Sequence, residues 1–262
     1  MDPYSGTAFY DEPAIHERYR AARSAVDEPN RTLEEPFVLR FLGDVRDRHV
    51  LDLGCGDAGI GPRLLATGAL SYLGVDGSHR MLSRAQATLA GTSGMVRLAD
   101  LETWEPPPGA RFDLVLARMA LHYVADLGRL LTTIRRACRP GARLVFSVEH
   151  PVVTCSYDGD WDDGVPRVWR VRDYYREGPR NCPWLGARVR KHHRTFETYL
   201  TLLTEAGFRL TRFSEGVPPR SEFTDPEVYE RRLDVPMYAT FGADLAEPGA
   251  APTQDNKEAS CG

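Results

Sequence analysis

The sequence predicts an α/β fold: a doubly wound, mostly parallel sheet of seven strands with helices on both faces. Three observations carry this expectation. Between Arg48 and Ser147 short apolar runs alternate with amphipathic stretches that end at glycine or Pro-Gly; strands alternating with helices imply parallel crossovers. The apolar runs are nearly continuous, as in strands buried on both faces. The length, 262 residues with 42% hydrophobic content, suffices for one large core.

Residues 11 to 28 and 33 to 45 read as two helices ahead of the sheet. The first carries Ile15, Tyr19 and Ala22 on one face, with Arg23 four residues after Tyr19, and is expected to form a helical cap over a ligand crevice. The strands follow as HVLDLG, SYLGVD, MVRLAD, FDLVLA and ARLVFSV, separated by helices in GPRLLATG, SHRMLSRAQATLAG and DLGRLLTTIRRACRPG. Residues 149 to 186 then hold three of the four tryptophans and many turn residues, too long a run for a connector. The expectation is an inserted aromatic lid over 149–190, with a plain surface insertion as the alternative. A helix in HRTFETYLTLLTEAG and strands in FRLTRFSE and VPMYATFGA complete one domain over 1–246, and 247–262 have the composition of a disordered tail.

Charge and cysteines exclude several classes. A net charge of -4 gives no general attraction to nucleic acid, and the basic run ARVRKHHR (187–194) reads as a solvated face. Five cysteines at irregular spacings, with no CxxC pair and no metal-ligand cluster, suit a reduced, cytoplasmic chain without a metal. The N-terminus is acidic and aromatic, unlike a secretory signal, and no apolar run reaches membrane length.

The strongest chemical signal is VLDLGCGDAGIG, residues 50–61, a strand entering a glycine turn ahead of a helix. Gly54, Gly56 and Gly59 alone would fit a dinucleotide. Asp52, however, precedes the turn by two residues, where a carboxylate opposes a pyrophosphate and suits an ammonium-bearing ligand. Asp76, twenty residues beyond Gly56, is placed for ribose hydroxyls in either case.

These stretches, with GVDGSHRML, LADLE and FDLVLARMALHYV, resemble the successive motifs of class I S-adenosylmethionine-dependent methyltransferases over roughly residues 10 to 215. The resemblance implies a Rossmann-like fold, S-adenosylmethionine as cofactor and S-adenosylhomocysteine as product. It sets Gly54, Cys55 and Gly56 against the methionine part, Asp76 on the ribose, Gly77 and Met81 beside the adenine, and Asp100 with Leu101 at its amino group. Ala117 would lend backbone to the amino-acid end, and Arg23 would pair with the carboxylate.

The acceptor is expected beyond the fourth and fifth strands, near Arg118, His122, Glu149 and His150. Arg118 and His122 stand four residues apart and would share a face if a helix starts there. A neutral imidazole can take a proton, and a guanidinium beside it would lower its pKa and hold a phenolate. On spacing alone the plainer reading is favoured, with Arg118 on a protein acid and His122 packed. ARMALHYV, FSVEHPVVTC and HHRTFETYLTLLTEAGF also resemble the aminocoumarin-type C-methyltransferases of natural-product and antibiotic biosynthesis. That resemblance implies a base dyad at Arg118 and His122, with His16 as the counterpart of a further acceptor-site histidine. It implies methyl transfer to carbon of an electron-rich aromatic small molecule. O- or N-methylation, an indole carbon, and a more distant NAD-dependent oxidoreductase stand as alternatives. His150 is expected to shape its turn, and His192 and His193 to open the later helix.

Overall fold

The computed structural model describes residues 3–24, 28–156, 161–162 and 168–246. Helices α1 (Gly6–Asp11) and α2 (Pro13–Arg23) come first, α2 opening on a proline whose missing N–H costs nothing at a helix start. A π-helical turn, Asn30–Glu34, runs directly into α3 (Glu35–Leu42), which stops at Gly43 in the left-handed region. Part of the first expected helix, 25–27, lies outside the described residues.

The alternating unit follows as β1 (His49–Leu53), α4 (Gly61–Ala66), β2 (Ser71–Asp76), α5 (His79–Thr88), β3 (Met95–Leu98), β4 (Phe112–Arg118), α6 (Leu127–Ala137) and β5 (Cys138–Glu149). A short turn α7 (Pro151–Thr154), a small ladder of β6 (Trp161–Asp162) with β7 (Val168–Trp169), and a hairpin of β8 (Gly178–Trp184) with β9 (Ala187–His193) come next. The described chain closes with α8 (Phe196–Glu205), β10 (Phe208–Ser214), α9 (Pro226–Asp234) and β11 (Tyr238–Leu245).

The seven-stranded sheet has the order β10-β11-β5-β4-β1-β2-β3. The pairs among β1 to β5 are parallel, and β11 is antiparallel to both of its neighbours. The expected mostly parallel, doubly wound sheet is therefore present. The chain winds outward from β1 in both directions, so a crevice opens at the carboxyl ends of β1 and β4. Alternation along the strands fills both faces. Val115, Leu144 and Phe146 join Leu130 and Ile134 of α6, whereas Leu114, Leu116 and Val145 join Val38 and Phe41 of α3. Burying each such side chain contributes about 1.5–3 kcal/mol. No helix among the described residues is long and apolar enough to cross a membrane.

Three expectations change. The basic run at 187–194 is a solvated face only in part: it forms β9, in which Arg188 and Arg190 are exposed while Val189, Lys191 and His193 point inward. His192 and His193 accordingly belong to a strand, and α8 starts after them with Thr195 as its cap. Helix α9, capped by the Asp225 carboxylate, was absent from the sequence reading because it buries none of its residues and shows no apolar stripe. Residues 157–160 and 163–167 of the expected lid, and the tail 247–262, lie outside the described residues.

Candidate active site

A cavity of about 580 Å³ occupies the crevice, walled by the turns after β1, β2 and β4, by α1 and α2, and by Trp184 of the hairpin. Its floor is the glycine turn. Gly54 has φ +69°, and a Cβ there would lie 2.4 Å from the Cβ of Ala120, so only glycine lets the two turns approach. The Gly54 and Cys55 N–H groups donate to the Val75 carbonyl (2.7 and 3.0 Å), while the Gly56 N–H donates to Asp76 Oδ2 (2.9 Å). Asp76 Oδ1 accepts the Ser78 N–H at 2.9 Å, which locks the carboxylate at the strand end.

Asp52 is buried, and its Oδ2 accepts the Tyr72 hydroxyl at 2.6 Å. Its Oδ1 is buried without a partner. Burial pushes its pKa up to about 6 against the pull of the Tyr72 hydrogen bond. An orphaned carboxylate oxygen beside the turn is completed by a ligand ammonium, so the residues present fit an amino-acid-bearing cofactor. Burial drives the Cys55 thiol far up, and it stays a wall group.

The remaining cofactor positions are mostly brought together. Gly77, Met81, Asp100 and Leu101 line the cavity. A Cβ on Gly77 would meet Thr7 Cγ2 at 2.1 Å, which shows how tightly α1 covers the turn after β2. Asp100 Oδ1 accepts the Glu102 N–H at 2.9 Å. Arg23 also lines the cavity, with its Nη1 donating to Glu28 Oε2 at 2.7 Å. Ala117 does not: it packs into the core from within β4, and Arg118, Met119 and Ala120 make the approach instead. Met119 takes φ +50°, a left-handed conformation for a residue with a side chain, as it turns out of the sheet.

Arg118 and His122 do not share a helix face. Arg118 is the last residue of β4 and His122 lies in a 3-10 turn, Leu121–Tyr123. The Arg118 guanidinium grips Glu34, with Nε 3.1 Å from each carboxylate oxygen, and reaches Glu35 at 3.1 Å. Burial disfavours its charge, but the two carboxylates outweigh this and raise its pKa. Glu34 is fully buried and also accepts the Ser147 hydroxyl at 2.6 Å, and Ser147 Oγ accepts the Met119 N–H at 3.0 Å. The π-helical turn that holds Glu34 is a form common at functional sites.

His122 is 1% exposed and lines the cavity, and its Nδ1 has no hydrogen-bond partner. Burial depresses its pKa to about 3; Glu149 opposes this, and Lys191 and Arg194 add to it. The expected direction holds, but the cations responsible are Lys191 and Arg194, not Arg118. His16 does not line the cavity. Burial lowers its pKa, and Arg84, Arg80 and Arg20 lower it further. His150 has both ring nitrogens in use, on the Val152 N–H (3.1 Å) and Glu215 (2.9 Å), and so shapes its turn. His193 is likewise engaged by Thr154 and the Tyr174 carbonyl.

Sequence reasoning missed Lys191. Its buried ammonium donates to Glu149 Oε1 at 2.5 Å and lies 5.9 Å over the Tyr123 ring and 5.5 Å over that of Trp184. Glu149 lines the cavity beside His122, Tyr123, Tyr10 and Trp184. Burial alone would raise its pKa, but Lys191 and His122 bring it below the ordinary glutamate value. The available signal was the period-two alternation of Val189, Lys191 and His193.

Comparison with known proteins fixes the family. A model described as "Methyltransferase domain" matches residues 51–146. The crystal structure of an S-adenosylmethionine-dependent methyltransferase from Mesorhizobium loti is 34% identical, with a TM-score of 0.76 over 85% of this chain and 99% of that one. The chain belongs to the S-adenosylmethionine-dependent methyltransferases. This methyltransferase is also 31% identical to an uncharacterised protein of Haemophilus influenzae, over 79% of its own length and 85% of the relative's. It is 30% identical to a trans-aconitate 2-methyltransferase of Acidovorax ebreus, but spans only 49% of that relative. Its cofactor is S-adenosylmethionine, and the orphaned Asp52 oxygen and the glycine turn are the features that suit it.

Proposed function

We propose that this methyltransferase acts on an electron-rich aromatic small molecule of phenolic type and delivers the methyl to carbon, with His122 as the base. The observation that carries the reading is the His122 ring: buried, neutral, without a partner at Nδ1, and at the cavity wall among Tyr10, Tyr123 and Trp184. A buried imidazole left unpaired is costly unless a ligand completes it. The bound cofactor supplies a methyl group on a positively charged sulfur.

His122 takes the acceptor's hydroxyl proton, and Glu149 steadies the imidazolium that forms. Electron density released to the ring lets a carbon attack the methyl, leaving S-adenosylhomocysteine. The ring C–H proton then passes to solvent water and the His122 imidazolium returns its proton to the acceptor oxygen, which restores the aromatic phenol. Arg118 is assigned a bracing role in place of the dyad: through Glu34 and Ser147 it fixes the Met119 turn that carries His122 into position. Gly54, Cys55, Gly56, Asp76, Gly77, Met81, Asp100 and Leu101 are assigned to the cofactor, with Arg23 at its carboxylate, and their places in the cavity lining support this. The aromatic hairpin contributes Trp184 as a wall of the acceptor end. His16 and Ala117 drop out of the reading.

A second reading is methylation of an organic acid such as trans-aconitate, the compound that the name of one relative carries. Labelled S-adenosylmethionine offered with hydroxycoumarins, hydroxylated aromatic acids, indoles and trans-aconitate separates the two. Label on a ring carbon supports the proposal, and label on carboxylate oxygen overturns it.

A further inference from the structure

The charge balance around Glu149 and His122 restricts what can be accepted. The arginines of the cavity lining are each ion-paired with a protein carboxylate: Arg23 with Glu28 (2.7 Å), Arg63 with Glu35 (3.7 Å) and Arg118 with Glu34 and Glu35. What remains of Arg23 is taken up by the cofactor's own carboxylate in the reading above. At the acceptor end the nearest ammonium, Lys191, is 96% buried and already bound to Glu149. Its charge is further engaged over the Tyr123 and Trp184 rings. Arg194, which has no carboxylate partner, turns its Nη2 to the Val124 and Ala125 carbonyls and does not line the cavity. Among the described residues, an acceptor carboxylate entering here would lose its water and find no unpaired cation in the lining.

Acceptors of hydrogen bonds, by contrast, are in surplus. The His122 ring, whose buried Nδ1 has no partner, and the Glu149 carboxylate both line the cavity, together with the rings of Tyr10, Tyr123 and Trp184. We infer that the methyl acceptor carries no carboxylate: it is a neutral or cationic aromatic whose hydrogen-bond donors face Glu149 and His122, and the Glu149–Lys191 pair sets this charge preference. The inference rests on the aromatic-acceptor reading but concerns binding, so each can fail separately. Glu149 is a specificity residue in direct reach of the acceptor. Lys191 is a positioning residue that acts through Glu149.

The test uses three phenols that differ in one terminal group: tyramine (cationic), tyrosol (neutral) and 4-hydroxyphenylacetate (anionic). Each is titrated calorimetrically into the full-length protein saturated with S-adenosylhomocysteine. Tyramine and tyrosol are expected to bind about tenfold or more tightly than the anion, given the cost of setting like charges together. Glu149→Gln leaves the Lys191 ammonium unpaired and shifts the preference toward the anion, whereas Lys191→Met leaves Glu149 unpaired and shifts it toward tyramine. Opposite shifts are something that a purely structural ion pair would not produce. Equal or tighter binding of 4-hydroxyphenylacetate by the wild type overturns the inference, as do variants that move the order in the same direction. If the binding order holds but none of the phenols is methylated, the base reading fails and the charge inference stands.

Discussion

Removing the Arg118 guanidinium tests whether this residue is a brace or half of a catalytic dyad. In Arg118→Met the Glu34 carboxylate, with no exposed side-chain surface, keeps the Ser147 hydroxyl but loses its ion pair. Breaking a buried pair from one side costs about 3–5 kcal/mol, because the surviving charge is left in a medium that solvates it poorly. The Arg118 side chain retains 16% exposure, so the lower end of that range applies, about 3 kcal/mol. The double variant Arg118→Met with Glu34→Gln removes the stranded charge and should recover a good part of the loss. Guanidinium unfolding of the wild type, both single variants and the double variant gives the coupling directly. A dyad without a structural role would leave stability within about 1 kcal/mol of wild type while turnover falls by about 100-fold or more. That result would refute the bracing argument.

Two further outcomes follow from the cofactor end. Asp52 has a pKa of about 6 and must be ionised to hold an ammonium, so S-adenosylhomocysteine affinity should fall as pH drops through 6. It should be about tenfold weaker one unit below the pKa than on the plateau above it, and calorimetry on Asp52→Asn should show no such limb. The sign for stability is opposite: a folded-state pKa above the unfolded value means that the contribution of Asp52 declines as pH rises from about 4 to 6. Gly54→Ala places a methyl 2.4 Å from Ala120 at φ +69°. Strain of this kind costs about 1–3 kcal/mol, so a lower thermal midpoint together with weakened cofactor binding is expected in a thermal-shift assay.

The alternating unit was legible because β1, β2, β4 and β5 are mostly buried on both faces and the helices between the strands turn apolar residues to the sheet; β3, at the sheet edge, is largely exposed, so its run is not the doubly buried strand expected. The run from β1 to β5 therefore stands where the pattern puts it. Asp52, Gly54 and Asp76 were legible for the same reason: local chain geometry fixes them at strand ends. The partnership of Arg118 with Glu34 was not, since it joins residues 84 positions apart through a π-helical turn that no local spacing announces. Lys191 was hidden inside a run of basic residues, where composition suggests solvent and only the two-residue period reveals an inward face. Ala117 packs in the core because β4 stays in the sheet until Arg118, and the chain turns into the cavity at Met119.

The most direct test of the account is to follow labelled methyl from S-adenosylmethionine into a phenolic acceptor, in wild type and His122→Ala, with S-adenosylhomocysteine affinity measured in parallel. The account predicts label on ring carbon in the wild type. In the variant it predicts a rate loss of about 100- to 10,000-fold, the scale of a missing acid-base group, at unchanged affinity. Label on the phenolic oxygen, or near-normal turnover by His122→Ala, would contradict it.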